Sequence, residues 1–131
     1  MRIKSPSLRV LIVEGQPGFA RLIKGFLERR RCAVIIASDG RSALEVAKAS
    51  AVELVVLDLD LVDAVAVVTE LTALASTDPC GHPRIFVITD RNHDDATAKR
   101  AARAGVQVFL RQPLDFALLD ALLLSLWQQS A

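Results

Sequence analysis

Aromatic residues make up only 5% of the 131-residue chain, and its formal net charge is +1. So few rings argue against a platform that stacks nucleic-acid bases. So small a net charge gives no strong pull toward a polyanion or an acidic surface. No uninterrupted apolar run is long enough to span a bilayer, and Met1 to Pro6 lack the apolar stretch of a signal peptide, so a cytoplasmic protein that does not enter membranes is expected. Cysteine is confined to Cys32 and Cys80, which do not make a disulfide framework. Cys80 lies close to His82, but one such pair falls short of a zinc site. What the chain does have is 52% hydrophobic and 24% charged residues, enough to fill one core and too apolar for a disordered chain. Residues 1–131 are therefore expected to form a single domain, with its core between about 8 and 127.

Short apolar runs alternate with helical patterns five times. Leu8–Val13, apolar apart from Arg9, reads as a buried strand. Phe19, Leu22, Ile23, Phe26 and Leu27 then recur at the spacing of one helix face, with Pro17 in the first turn. Val34–Ala37 is a second strand, followed by the turn signal Asp39-Gly40 and a helix over about 41–49. Leu54–Leu57 is a third strand, apolar on both faces as a central parallel strand should be. Asp63 is expected to cap a helix that runs to about Ala75. After a loop rich in proline and glycine, Ile85–Ile88 is the fourth strand. Asn92 opens a helix whose inner positions are mainly alanine, at 98, 101 and 102, and Gly105 stops it. Val106–Leu110 is the fifth strand, and Asp115 caps a last helix with Leu119, Leu122, Leu123 and Leu126 on one face. Five βα units in series predict a three-layer α/β fold, a parallel sheet covered by helices on both sides.

Ligands of such sheets bind beyond the carboxyl ends of the strands. Those ends carry Glu14-Gly15, then Asp58 with Asp60 and Asp63 behind it, then Thr89-Asp90, then Arg111-Gln112-Pro113. The expected pocket gathers carboxylates, a hydroxyl and an amide. Its loop Gly15-Gln16-Pro17-Gly18 is neither a Walker loop nor a dinucleotide fingerprint, so a small flavodoxin-like cofactor binder or enzyme is the weakest reading.

The stretches Leu11-Ile12-Val13-Glu14-Gly15-Gln16-Pro17, Leu54-Val55-Val56-Leu57-Asp58-Leu59-Asp60, Val87-Ile88-Thr89 and Phe109-Leu110-Arg111-Gln112-Pro113-Leu114, in this order and spacing, resemble the CheY-like receiver domain of response regulators. The resemblance runs from Leu8 to Trp127 and implies a (βα)5 flavodoxin-like fold with sheet order 2-1-3-4-5. It implies that Asp58 is the phospho-acceptor, Thr89 the hydroxyl that senses the phosphoryl group, and Phe109 the switch aromatic. It further implies a Mg²⁺ ion held by Glu14, Asp58 and the backbone carbonyl of Asp60. The implied partners are a histidine kinase or phosphotransfer protein and a downstream effector protein, with a homodimer through the fourth helix, fifth strand and fifth helix. A binding protein rather than an enzyme is expected.

The departures fall on the same pocket. Gly15 stands where the family has a second acid, and Gln112 where it has a lysine. Arg31 replaces a glycine common before the second strand. Losing one acid and one lysine together keeps the formal charge roughly balanced, as suits a pocket that tolerates a weak or absent metal. The side chain of Asp60 and that of Arg91 are two minor candidates to replace the missing acid and the missing lysine. An atypical receiver of two-component phosphorelay signalling, switching protein contacts with impaired Mg²⁺ and phosphoryl chemistry, is therefore the leading expectation. A phosphorylation-independent interaction or dimerisation module is its alternative.

Overall fold

A computed structural model describes residues 8–74, 83–89 and 95–130. In chain order the elements are β1 (Leu8–Val13), α1 (Pro17–Glu28), β2 (Cys32–Ala37), α2 (Gly40–Ala49), β3 (Leu54–Asp58), α3 (Ala64–Ala73), β4 (Arg84–Thr89), α4 (Asp95–Ala104), β5 (Val108–Arg111) and α5 (Phe116–Ser130). The sheet runs β2-β1-β3-β4-β5, and every adjacent pair is parallel. This is the doubly wound (βα)5 arrangement expected from the alternation of elements.

Alternate residues of each strand feed two separate cores. Val10, Ile12, Leu54, Val56, Phe86, Ile88 and Leu110 pack with Ala20, Ile23 and Leu27 of α1 and Leu119, Leu123 and Leu126 of α5. On the other face, Leu11, Val13, Val55, Leu57, Ile85 and Val87 meet Ala43 of α2, Val67, Val68 and Leu71 of α3 and Ala101 of α4. β1, β3 and β4 are thus buried on both sides, which is why they read as continuous apolar runs.

Three local readings need correction. Leu22 does not belong to the buried face of α1: it is 56% exposed, and Ala20 takes the inward place. The buried line is Ala20, Ile23 and Leu27, and Leu22 lies more than a quarter turn round from it. On α4 Ala101 is buried and Ala98 half-buried, whereas Ala102, one step further round, is exposed. Asp63 occupies the N-cap position of α3 but adopts a left-handed backbone (φ 64°), and its side chain makes no capping hydrogen bond. Asp39 caps α2, its carboxylate accepting from the Ser42 N–H at 2.8 Å. Asp115 does the same for α5 through the Leu118 N–H at 3.1 Å.

Two glycines are required by the packing. A Cβ on Gly40 would collide with Val67 Cγ2, so α2 and α3 approach as closely as they do only with glycine there. Gly105 ends α4 with φ +123° and lies against Thr72. Thr72 Oγ1 in turn donates to the Ala104 carbonyl at 3.2 Å. Arg31 shows the cost of a lost glycine, holding φ 64° just before β2.

Candidate acidic pocket at the carboxyl edge of the sheet

β1 and β3 are neighbours, with Val13 paired to Leu57. Their next residues, Glu14 and Asp58, therefore leave the sheet side by side. The Glu14 N–H is tied to the Ala37 carbonyl of β2 at 3.0 Å, which fixes the strand end. Its side chain is not the solvated loop acid its position allows: Glu14 is 4% exposed. Glu14 Oε2 accepts from the Gln16 N–H at 3.1 Å, and the Glu14 carboxyl is close enough to that of Asp58 for the two to interact. Burial pushes the Glu14 carboxyl up to about 7, and the charges of Asp58 and Asp60 add to the rise, while the Gln16 N–H opposes it.

Asp58 is half-buried at the last position of β3. Its Oδ1 accepts from the Asp60 N–H at 2.8 Å, which folds the chain back over the strand end and leaves the Asp60 side chain exposed. Two further bonds, from Leu59 N–H to the Ile88 carbonyl at 2.9 Å and from Leu61 N–H to the Asp58 carbonyl at 3.2 Å, fix this turn. Thr89 closes β4 and is buried at 9% exposure. Its carbonyl accepts from the Gln112 N–H at 3.1 Å, so Gln112 sits directly beyond β5 at the same edge. The Gln112–Pro113 bond is cis. Phe109 is paired with Val87 on β5 and remains 38% exposed.

Glu14, Asp58, Thr89 and Gln112 are thus brought to one edge, and Gly15 and Asp60 to its rim. Asp90 and Arg91 lie outside the described residues, as do Cys80, His82 and Asn92. Leu61 was not foreseen as part of the site. Its Cδ2 lies 3.4 Å from where a Gly15 Cβ would stand, so it overhangs the position of the missing acid. The signal available was its spacing, three residues after Asp58.

Chemically the pocket offers carboxylate and carbonyl oxygens, hard donors that suit Mg²⁺ or Ca²⁺ in kind. Among the described residues no group of three or more acidic, histidine or cysteine side chains gathers to hold a metal. Glu14 and Asp58 are the two carboxyls brought together at the strand ends, with Asp60 on the rim.

The family model of the response regulator receiver domain matches residues 10–124. The chain belongs to this family. It is a receiver domain of two-component signalling, and no curated protein matches it. Among solved structures it is similar to a two-component response regulator from Clostridium difficile, with 19% identity, 94% of this chain and 98% of that one covered, and a TM-score of 0.81. It is similar to a response regulator from Burkholderia pseudomallei, with 28% identity over 87% of this chain and 65% of that one and a TM-score of 0.75. That protein carries a phosphorylated aspartic acid, a calcium ion and citrate. A third match, with 19% identity over 88% and 85% of the two chains and a TM-score of 0.74, is the receiver domain of Ssk1 from Saccharomyces cerevisiae, co-crystallised with the histidine phosphotransfer protein Ypd1. The strand order and parallel sheet agree with this fold. No helix among the described residues is long and apolar enough to cross a membrane.

Proposed function

We propose that this receiver takes a phosphoryl group inefficiently at Asp58 and acts chiefly through protein contacts. The observation that carries the reading is the buried Glu14 carboxyl beside Asp58 at neighbouring strand ends, at an edge where residue 112 is a glutamine and residue 15 a glycine. A carboxylate attacks a phosphoryl group well only when the charge between them is neutralised. Gln112 can donate a hydrogen bond but supplies no charge. Glu14, Asp58 and the Asp60 carbonyl would hold Mg²⁺ weakly, and the ion would offset charge on the incoming phosphoryl oxygens. Thr89 is the hydroxyl for a phosphoryl oxygen, and the exposed Phe109 is the ring that responds.

The phosphoryl donor would be a histidine kinase or a phosphotransfer protein, the class bound by the Ssk1 receiver. α4, β5 and α5 form the face for an effector or a second copy. α4 suits a movable element, since among the described residues it buries fully only Ala101. A phosphate-independent module is the second reading. It is favoured by the same acid pair, because Asp58 already has hydrogen-bonding partners within the chain.

Incubation with acetyl phosphate or beryllofluoride and Mg²⁺, followed by intact mass and amide NMR, tests the proposal, with Asp58→Asn as control. The expected result is a slow, partial adduct that needs high Mg²⁺ and is lost in the control. Rapid, complete modification at low Mg²⁺ would overturn the impaired reading. No adduct and no shift would leave the phosphate-independent module.

A further inference from the structure

The two edges of the sheet are unlike. β5 is short, with four residues, and ends in the charge of Arg111, features that discourage strand pairing. β2 has six residues, Cys-Ala-Val-Ile-Ile-Ala, without a charge or a proline. Among the described residues nothing pairs with its outer side. Ile35 on the α2 face and Ile36 on the α1 face are 42% and 36% exposed. Beside Ile35 a mainly apolar hollow of about 390 Å³ opens, lined by Ala33, Ile35, Ala49 and Val52, with Arg9 and Ser50 also on its wall.

The hydrogen-bond phase of β2 follows from its inner side. Glu14 N–H donates to Ala37 O, and Leu11 is in register with Ile35. Ala33, Ile35 and Ala37 therefore turn their peptide groups toward β1, and Val34 and Ile36 turn theirs outward. No described strand takes up this outward row, and an edge row of this kind accepts another strand.

We infer that β2 pairs antiparallel with β2 of a second copy, joining two sheets across a two-fold axis. Such an axis stands perpendicular to the sheet and keeps the α2 faces of both copies on one side. It permits only registers in which some residue faces its own symmetry mate. Centring the axis on Ile35 makes this strand self-complementary. Ile35 meets the partner's Ile35 beside the two apolar hollows. Val34 and the partner's Ile36 exchange backbone hydrogen bonds, and their side chains meet on the α1 face. Arg31 and Asp39 flank the strand just outside Cys32–Ala37, so this pairing sets the basic end of one copy's strand at the acidic end of the partner's, at both ends. A register centred on Val34 instead sets Ala33 against the partner's Ile35 and moves Arg31 away from the partner's Asp39. β2 and the α4-β5-α5 face lie at opposite edges of the sheet, so this contact leaves the signalling face open.

Analytical ultracentrifugation of the full chain over a wide concentration series tests the contact, with circular dichroism to confirm folding of each variant. The wild type should show a monomer–dimer equilibrium, and Ile35→Lys should weaken it about tenfold or more. The register is read by cysteine cross-linking in a Cys32→Ala, Cys80→Ala background. Facing residues of a non-hydrogen-bonded antiparallel pair have Cα atoms about 4.5 Å apart, within disulfide reach. Ile35→Cys should therefore form a disulfide-linked dimer on mild oxidation. Ser125→Cys, on the exposed side of α5, should not. A monomer at every concentration overturns the inference. So does a dimer indifferent to Ile35→Lys, or equal cross-linking of the two cysteine variants.

Discussion

Glu14→Gln isolates the energetic consequence of burying an acid against Asp58. In the folded chain the Glu14 carboxyl sits at about 7, against an ordinary 4.5. Between those values the native state holds a proton that the unfolded chain has released. Stability must therefore fall as pH rises, with a slope approaching about 1.4 kcal/mol per pH unit for one proton. Below the ordinary value both states are protonated and there is no penalty. Above the folded value the full penalty applies, of order 3 kcal/mol if the whole shift is expressed. Glutamine keeps an amide in place of the acid without the charge, so the variant should gain on the wild type from acid to neutral pH. Urea unfolding at intervals between pH 4.5 and 8.5, in the presence of a chelator, gives the difference curve. Other carboxylates act in the opposite sense. Asp39, for example, is held below its ordinary range by the Ser42 N–H. The wild-type-minus-variant difference cancels such background. A difference that is flat across this window would refute the acid-pair geometry. Asp58→Asn should shift the wild-type transition to lower pH, because it removes one of the causes that raise Glu14.

Three further outcomes follow from particular contacts. Arg31→Gly should stabilise the fold by about 0.5–1 kcal/mol in urea melts, since glycine adopts a positive φ without the Cβ penalty but is freer when unfolded. Gly40→Ala should cost about 1–3 kcal/mol by overpacking against Val67, and Val67→Ala in the same chain should recover part of it, a coupling visible in a double-mutant cycle. Gly15→Asp together with Gln112→Lys should bring Mg²⁺ binding and rapid reaction with acetyl phosphate, followed by NMR titration and intact mass. Gly15 is exposed, and among the described residues a Cβ there meets only Leu61 Cδ2 at 3.4 Å and the Ser38 carbonyl at 4.0 Å.

The strands were legible because a doubly wound sheet buries β1, β3 and β4 on both faces, whereas their order in the sheet came from the family resemblance. Apart from exposed Arg9 near the start of β1, the interiors of their runs carry no polar residue. β2 extends two residues earlier than its apolar run, because Leu8 and Arg9 hold Cys32 and Ala33 in the ladder. Helix faces were less legible. Leu22 has the right spacing for the α1 stripe but points out, and small Ala20 replaces it where α1 comes close to the sheet. Positions were read correctly where a side chain meets its own neighbouring backbone, as at Asp115. Asp63 makes no such bond, because its backbone is left-handed where a capping residue is extended. In the pocket, the one-dimensional pattern located Glu14, Asp58, Thr89 and Gln112 but not their environments. Nothing local tells that Glu14 is buried, since that depends on β3 lying beside β1.

The two substitutions that set this pocket apart are coupled through that burial. A receiver-type lysine at 112 would favour the ionised form of both Glu14 and Asp58, and a second acid at 15 would disfavour it. Here neither is present, and burial, with the charge of Asp58 added and the Gln16 N–H opposing, pushes the Glu14 carboxyl toward its protonated form. Restoring the acid alone would add a third carboxylate beside Glu14 and Asp58, and the pair would hold its proton harder. Restoring the lysine alone would discharge the proton but leave the metal a donor short. Either single change opposes the chemistry it is meant to recover, and only both together neutralise an incoming phosphoryl group while leaving Asp58 ionised to attack it. The loss of Gly15's acid and of the lysine at 112 is therefore best understood as one change in the charge state of the pocket rather than two independent defects.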